Sequence, residues 1–326
     1  MRICIYGAGA TGGYLGVQLA LAGQDVTLIA RGAHLAAMQA RGLKLLIGGE
    51  ERIAWPHCVE IPADAGPQDY VIVTLKAHSI PGVAGLIEPL LHEDTAVVTA
   101  TNGIPWWYFY AVDGPYRNRR IESVDPGGGI WSAIGPERAI GCIVYPATEI
   151  AEPGVIRHIE HNLFTLGEPG GRVRERTTRL AEALRDAGFR CRVKPDPRDE
   201  LWLKLLGNLS FNPISALTHA TLDRIAGDPG TARVCKLMMQ EAKDIAERLG
   251  ITFRIDIDRR LAAGGAVGKH RTSMLQDLDA GRPMEIDALV TAVQELGRLV
   301  EVPTPTIDVV LALTQQRGES AGTYRR

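Results

Sequence analysis

The chain has 326 residues, of which 45% are hydrophobic and 23% charged, and its formal net charge is -2 at pH 7. This composition excludes disordered, collagen-like and coiled-coil proteins, and the length predicts two domains. Because acidic and basic residues nearly balance, nothing favours binding to nucleic acid or to an anionic membrane. We therefore expect a small-molecule partner.

The cysteines and the apolar runs predict where the protein works. Five scattered cysteines without a CxxC motif favour neither a disulfide framework nor a zinc site, and they fit a reducing, cytoplasmic compartment. The N-terminal MRICIYGAGATGG reaches its glycines too early for a signal peptide, and no apolar run has the roughly 18 residues that a bilayer requires. None of the eight histidines has a metal-ligand spacing, so no metal is expected.

The first part of the chain alternates strand and helix patterns. Apolar strands are predicted at residues 2–6, 26–29, 70–75 and 96–101, with a helix up to residue 21 and another between the last two strands. Strands that alternate with helices are typical of an α/β fold with a doubly wound parallel sheet.

The second part changes character after residue 140. Short strands are predicted between residues 140 and 166 and an amphipathic helix at 172–187. The 3.6-residue spacing then predicts helices at 200–217, 231–249, 272–280 and 283–300, and the tail 318–326 is expected to fray. We divide the chain into an α/β domain, 1–195, and an all-α domain, 196–326.

A glycine-rich turn directly follows the first predicted strand. Its residues match G-x-G-x-x-G and are Gly7, Ala8, Gly9, Ala10, Thr11 and Gly12. In this motif the glycines permit the turn, the approach of a pyrophosphate to the backbone and close helix packing. Phosphates would then face the helix N-terminus. The alternative is a purely structural turn.

The ends of three predicted strands carry further polar residues. No acidic residue ends the second strand, where NAD-preferring sites bind the ribose hydroxyl, and Arg31 stands there instead, which favours NADP. Lys76 and Asn102 follow two other strands and are expected to face the cofactor cleft. An ordinary surface arginine and solvated strand ends are the alternatives.

A polar stripe is predicted on the helix at 200–217. Lys204, Asn208 and Asn212 recur every fourth residue and share one face, beside an apolar face of leucines. A ligand-binding face and a solvated face both fit this spacing. Two asparagines aligned with a lysine favour a ligand, because asparagine lowers helix propensity.

Residues 270–287 hold a second group of polar residues. Thr272 or Ser273 is placed to cap a helix, and Pro283 is placed to begin one, with Glu285 in its first turn. Capping alone explains these residues, so their pattern does not by itself indicate a ligand.

Five motifs in order nevertheless resemble the ketopantoate reductase (2-dehydropantoate 2-reductase) family over nearly the whole chain. They are GAGATG, VTLKA around Lys76, TNG at Asn102, ELWLKLLGNLSFNP around Lys204, and TSMLQD with MEID. The resemblance implies an N-terminal Rossmann-type doubly wound parallel sheet and an all-α C-terminal domain, with NADPH and a 2-keto acid bound between them. The implied reaction reduces ketopantoate to (R)-pantoate in pantothenate biosynthesis.

The same resemblance implies roles for individual residues. Lys204 would be the general acid, which a cationic amine can be for a developing alkoxide, and Glu285 would hold it charged and oriented. Asn102, Asn208, Asn212 and Ser273 would hold the substrate. Lys76, Ala147 and Glu285 would lie at the cofactor.

Two features depart from the family pattern. The long aromatic-rich segment 105–131 replaces a shorter connection and fits a lid, a subunit contact or core packing, and His270 stands where an asparagine is common. The exact 2-keto acid therefore stays open. The alternatives are a reductase or dehydrogenase for another 2-keto or 2-hydroxy acid and a noncatalytic NADP-binding regulator; the oligomeric state, a homodimer included, also stays open.

Overall fold

The computed structural model describes residues 1–252, 254 and 256–325, and the chain separates into two compact units. The first unit comprises Met1–Thr101, Trp106–Arg120 and Asp125–Pro197; the second comprises Asn102–Pro105, Ile121–Val124 and Arg198–Arg326. Two short pieces thus belong with the C-terminal helices, although the predicted boundary at 195/196 assigns them to the N-terminal domain.

The first unit is built on an eight-stranded sheet. Its strands and helices are β1 (Arg2–Tyr6), α1 (Ala10–Leu21), β2 (Asp25–Ile29), α2 (Gly32–Arg41), β3 (Leu43–Ile47), β4 (Glu50–Ala54), β5 (His57–Val59), β6 (Tyr70–Val73), β7 (Ala96–Thr99), α3 (Gly129–Ile134), β8 (Ala139–Val144), β9 (Ala147–Glu152), β10 (Val155–Glu160), β11 (Leu163–Gly167), α4 (Glu175–Asp186) and β12 (Arg190–Lys194). The sheet order is β12-β11-β8-β7-β6-β1-β2-β5.

The topology confirms the predicted Rossmann-type, doubly wound sheet. β1 pairs in parallel with β2 on one side and with β6 on the other, so the direction of winding reverses beside β1. The pairing of β8 with β11 is antiparallel. Ile3 and Ile5 are fully buried, because the central strands are covered on both faces. A reversal of strand order creates the crevice in which such sheets bind ligands.

A second, four-stranded sheet of order β4-β3-β10-β9 was not predicted. It packs against α1, where a Cβ on Gly13 would lie 2.6 Å from Ile156 Cγ1, so glycine permits the close approach. The missing prediction has a physical reason. β4 is a polar edge strand, EERIA, and it lacks the apolar run on which strand prediction relies.

The helix predicted between β6 and β7 is wrong. Three short 3-10 turns, Ala77–Ser79, Ala84–Leu86 and Glu88–Leu90, occupy the connection. The sequence SIPGVAGLIEPL places two prolines and two glycines there, and proline removes the hydrogen bonds that a continuous α-helix requires.

Core packing explains the aromatic residues of segment 105–131. Trp106, Trp107, Tyr108 and Phe109 are each at most 3% exposed. Both tryptophans pack against β-sheet side chains, and Trp107 Nε1 donates a hydrogen bond to Thr99 Oγ1 at 3.2 Å. Of the three alternatives from the sequence, core packing is therefore the one that the structure supports for these side chains.

The second unit is all-α, as predicted. Its helices are α5 (Arg198–Thr218), α6 (Leu222–Gly227), α7 (Pro229–Arg248), α8 (Ile257–Gly265), α9 (Ser273–Asp279), a π-helical turn (Asp287–Thr291), α10 (Ala292–Leu299) and α11 (Pro305–Ser320). Helices α7, α9 and α11 pack against α5, which is consequently the central helix of this unit.

Two expectations for this unit are wrong. Residues 283–285 are not helical, because the Met284 carbonyl oxygen accepts from the Ile286 N–H, two residues on, at 3.0 Å and not from a residue four positions on. The Met284 N–H holds the segment in this conformation by donating to the Thr323 carbonyl oxygen at 2.9 Å. The tail does not fray over its described part, because Thr323 is only 1% exposed and its N–H donates to the Gly318 carbonyl oxygen. Within the described residues, no helix is both long and apolar enough to cross a membrane.

Candidate active site

In the first unit, the glycine-rich loop connects β1 to α1. Gly7 has a φ of +106°, which L side chains rarely adopt, and this explains the requirement for glycine. The backbone N–H groups of Gly7 and Ala8 both donate to the Ile29 carbonyl oxygen, at 3.2 and 3.0 Å. The loop is therefore fixed to the end of β2.

Gly9 faces open space and Gly12 is tightly packed, a difference that suits a dinucleotide. A Cβ on Gly9 would meet only the Gly7 carbonyl oxygen, at 4.0 Å, so the loop offers open space there to a ligand among the described residues. A Cβ on Gly12 would lie 2.3 Å from the same oxygen. No side chain caps the N-terminus of α1 and its first turn holds no acidic residue, which leaves the helix end compatible with a phosphate.

Thr74 supports this loop and was missed by the sequence reasoning. Its Oγ1 donates to the Gly7 carbonyl oxygen at 2.6 Å and would lie 2.5 Å from a Cβ on Gly12. Thr74 directly follows β6, on the other side of the reversal in strand order. Ligands bind such sheets where the strand order reverses, and this rule could have predicted Thr74 as a site residue.

Three more residues with predicted cofactor roles lie elsewhere in the first unit. Arg31 is exposed and immediately precedes α2, Lys76 is half-buried in the connection after β6, and Ala147 is half-buried at the start of β9. Burial lowers the pKa of His34, one turn after Arg31, so its ring is neutral at pH 7. Arg31 is thus the cationic side chain of this turn.

In the second unit, the polar stripe of α5 is not a solvent-exposed face. Asn212 is only 6% exposed, and Lys204 and Asn208 are half-buried. The neighbouring face, with Leu205 and Leu209, is buried in the helical core. A buried row of polar side chains requires partners, which makes this stripe a candidate ligand-binding surface.

Lys204 and Asn102 come together in this unit. Lys204 Nζ donates to Asn102 Oδ1 at 2.7 Å, although 102 positions separate the two residues. Lys204 also takes part in an interaction beyond this bond. The short distance marks a charge-assisted hydrogen bond, which orients the amine.

The position of Asn102 depends on the residues that follow it. Gly103 has a φ of +85°, and a Cβ there would lie 2.3 Å from the Ala288 carbonyl oxygen. The Ile104 N–H donates to that same oxygen at 2.9 Å. Asn102 therefore lies two residues from a direct attachment to the π-helical turn, a connection that sequence reasoning did not anticipate.

Ser273, Glu285 and His270 take distinct positions. Thr272, not Ser273, caps α9, because its side chain accepts from the Leu275 N–H; Ser273 is exposed as the first helical residue. Glu285 is 8% exposed in the non-helical segment before the π-helical turn, not in a first helical turn. The His270 carbonyl oxygen accepts from the Leu222 N–H at 3.0 Å. Pairing of Glu285 with Lys204 stays a prediction.

Among the residues that the structure describes, no group of three or more histidine, cysteine, aspartate or glutamate side chains is arranged to hold a metal ion. The first unit offers a loop for a dinucleotide, and the second offers a lysine held by an amide oxygen. Together these features define a class of protein, the nucleotide-dependent oxidoreductases with a Rossmann-type fold.

Comparisons with known proteins identify the family. Two family models match, Ketopantoate reductase PanE/ApbA at residues 3–106 and its C-terminal model at residues 196–318. A 2-dehydropantoate 2-reductase of Mesorhizobium japonicum is 55% identical over 325 residues, 99% of this chain and 100% of the relative. The chain belongs to the ketopantoate reductase family and is a pyridine-nucleotide-dependent oxidoreductase that acts on CH–OH groups.

Solved structures agree with this assignment. A candidate ketopantoate reductase from Ralstonia solanacearum MolK2 has a TM-score of 0.94 at 42% identity and covers 99% of each chain. The 2-dehydropantoate 2-reductase of Geobacter metallireducens has a TM-score of 0.84 at 28% identity, over 97% of this chain and 99% of that one. A D-mandelate dehydrogenase with NADH and anilino(oxo)acetate, at 20% identity, TM-score 0.83 and coverage of 99% and 100%, shares the fold.

Proposed function

We propose that the protein reduces the C2 carbonyl of 2-dehydropantoate to the hydroxyl of (R)-pantoate, with NADPH as reductant and Lys204 as proton donor. The observation that carries the proposal is the 2.7 Å hydrogen bond from Lys204 Nζ to Asn102 Oδ1, on the helix face that also holds Asn208 and Asn212. The name of the 55% identical relative supports the choice of substrate.

Reduction of a ketone requires a hydride at carbon and a proton at oxygen. NADPH, when bound, supplies the hydride. Lys204 supplies the proton: an ammonium group has three donor hydrogens, and the bond to Asn102 Oδ1 uses one of them. Another can point at the carbonyl oxygen, where it stabilises the developing alkoxide before transfer. The neutral amine left behind regains its proton from water.

Three residues are proposed to hold the substrate: Asn208, Asn212 and Ser273. Within the described part of the chain, the side chains of Asn208 and Asn212 form no hydrogen bond to protein groups, so their amides can bind the substrate's hydroxyl and carboxylate. Ser273 contributes a hydroxyl, because Thr272 already provides the helix cap. Glu285, only 8% exposed, is proposed to keep Lys204 cationic and to contact the cofactor.

The preference for NADPH over NADH rests on Arg31. The end of β2 has no carboxylate to accept the ribose hydroxyl, and Arg31 follows it as a cation that can pair with a 2′-phosphate. Gly7 to Gly12 would hold the pyrophosphate at the N-terminus of α1. Lys76, Ala147 and Asn102 are proposed to complete the cofactor contacts.

A cytoplasmic location and a small-molecule partner belong to the same proposal. All five cysteines are free and buried, which suits a reducing compartment. The NADPH pool and the 2-keto acid are then the only partners that the proposed chemistry requires.

The proposal is tested by steady-state kinetics of NADPH oxidation with a panel of 2-keto acids that includes 2-dehydropantoate, pyruvate and an aromatic 2-keto acid. The highest kcat/KM for 2-dehydropantoate is expected. A clear preference for another member would reassign the substrate within the same chemistry. NADPH binding without turnover of any panel member would favour a noncatalytic regulator.

A further inference from the structure

The C-terminal segment after α11 is attached to the residues around Glu285. The Thr323 carbonyl oxygen accepts from the Met284 N–H at 2.9 Å, and the Ile286 N–H donates to the Met284 carbonyl oxygen at 3.0 Å. Thr323 itself is fixed to the end of α11 through Gly318. Glu285 thus lies between two residues whose backbone is held in place.

Tyr324, the next residue, contacts the π-helical turn through its hydroxyl. Tyr324 Oη donates to Asp287 Oδ1 at 2.8 Å and accepts from Gln315 Nε2 at 3.1 Å. Thr291 Oγ1 donates to the same Asp287 oxygen at 2.8 Å. The Asp287 carbonyl oxygen accepts from the Ala292 N–H, the five-residue bond that closes the π-helical ring. Asp287, the first residue of the turn, therefore binds the far end twice: Thr291 through its carboxylate and Ala292 through its carbonyl oxygen.

The π-helical turn in turn holds the partner of Lys204. Ala288, the neighbour of Asp287, accepts from the Ile104 N–H and lies against Gly103 without room for a Cβ. Asn102 Oδ1 then accepts from Lys204 Nζ. Hydrogen bonds and adjacent backbone connect Tyr324 to the Lys204–Asn102 pair. π-Helical turns are rare and occur frequently at functional sites.

We propose that Tyr324 is a positioning residue: through Asp287 it fixes the π-helical turn, and so sets where Asn102 and Glu285 stand relative to Lys204. The Tyr324 hydroxyl acts through its bond to Asp287, which precedes Ala288 in the π-helical turn. The expected effect of Tyr324 on turnover rests on the proposed function. Its expected effect on the hydrogen bond from Ile104 to Ala288 does not.

The test compares Tyr324→Phe with Asp287→Ala and Asp287→Asn. Tyr324→Phe removes only the hydroxyl, and we expect kcat to fall about tenfold, within the range that small misplacements of catalytic groups produce. NADPH affinity should stay within a few-fold. Asp287→Ala should have a similar or larger effect. Asp287→Asn should be close to wild type, because an amide oxygen can accept both bonds that now reach Oδ1.

The control variant is Thr323→Val. It removes the Thr323 hydroxyl, whose bond to the Gly318 carbonyl oxygen is 3.4 Å long, and keeps the backbone bond to Met284. A wild-type kcat is expected. Equal losses of kcat in Thr323→Val and Tyr324→Phe would assign the effect to general weakening of the segment and overturn the proposal, as would a wild-type kcat in Tyr324→Phe.

A second readout does not depend on catalysis. Hydrogen exchange of the Ile104 amide should be about tenfold faster in Tyr324→Phe than in wild type, because that N–H donates to the turn that Tyr324 restrains. Unchanged Ile104 protection would overturn the proposal even if kcat fell. If the wild-type protein reduced no 2-keto acid, the proposed function would fail while the exchange result still decided whether Tyr324 holds the Asn102 segment.

Discussion

The substitution Gly103→Ala should lower kcat in a protein that still folds. Its Cβ would lie 2.3 Å from the Ala288 carbonyl oxygen, about 1 Å short of the 3.4 Å at which ordinary contact begins. Ala288 belongs to a buried helical turn, so residues 102–104 must shift by most of that distance. The bond from Lys204 Nζ to Asn102 Oδ1 is 2.7 Å long and would not survive such a shift at hydrogen-bond length.

Misplacement of a catalytic group by about 1 Å can cost roughly 10²-fold in rate, and a decrease in kcat of that order is expected for Gly103→Ala. NADPH affinity, measured by fluorescence titration, should fall by no more than a few-fold, because only the proposed Asn102 contact is disturbed and the glycine-rich loop is untouched. The left-handed φ of +85° adds strain that lowers stability independently of the contact.

The control for that strain is Gly250→Ala. Gly250 has a nearly identical φ of +86°, and its Cβ would meet no described atom within 4 Å. Both variants should lose stability from the backbone conformation, but only Gly103→Ala should lose turnover. Equal kcat values for the two folded variants would refute the reasoning that the π-helical turn sets the position of Asn102.

Three further predictions follow from other parts of the structure. Arg31→Ala should weaken NADPH binding by about 1–3 kcal/mol and leave NADH binding unchanged by titration calorimetry, whereas equal losses would show that Arg31 does not read the 2′-phosphate. Trp107→Ala should lower the free energy of unfolding in urea by about 3–5 kcal/mol, whereas Trp55→Ala, at a side chain 68% exposed, should change it by less than about 0.5 kcal/mol. Burial raises the pKa of four thiols, to about 12 for Cys4 and Cys235 and to about 11 for Cys58 and Cys191. These thiols should therefore resist iodoacetamide near pH 8 until the protein unfolds. Rapid labelling of all four in the native protein would contradict this burial.

Sequence patterns predicted the parts of the fold that have strong local signals. β1, the glycine loop and α1 follow from an apolar run, three glycines and a helical stripe, each readable within a few residues. The helix from Pro229 to Arg248 was predicted within two residues at its start and one at its end for the same reason. Both the Rossmann-type sheet and the all-α unit could therefore be predicted.

The parts that were missed depend on tertiary contacts. Residues 283–285 carry an acceptable helix start, but the Met284 carbonyl oxygen accepts from the Ile286 N–H two residues on. The Met284 N–H meanwhile bonds to the Thr323 carbonyl oxygen, a partner 39 positions away that no local pattern reveals. The small sheet joins β3 to β10 across more than 100 residues, and its polar edge strand has no apolar signal. Local propensity cannot report such pairings.

For the candidate site, the sequence supplied residue types and spacing but not their supports. The stripe of Lys204, Asn208 and Asn212 was visible because helical periodicity is local. The attachment of Asn102 to Ala288 was not, because it depends on a π-helical turn and on a backbone hydrogen bond that involves no distinctive side chain. The same holds for Thr74, whose hydroxyl bonds to a backbone oxygen of the glycine loop.

The central claim is that Lys204 donates the proton in 2-keto acid reduction, and the most direct test is the kinetics of Lys204→Ala beside its NADPH affinity. Loss of a general acid should lower kcat with 2-dehydropantoate by about 10²–10⁴-fold, while NADPH affinity stays within a few-fold because other residues hold the phosphates. A folded Lys204→Ala protein that binds NADPH and reduces 2-dehydropantoate at a near wild-type rate would contradict the claim.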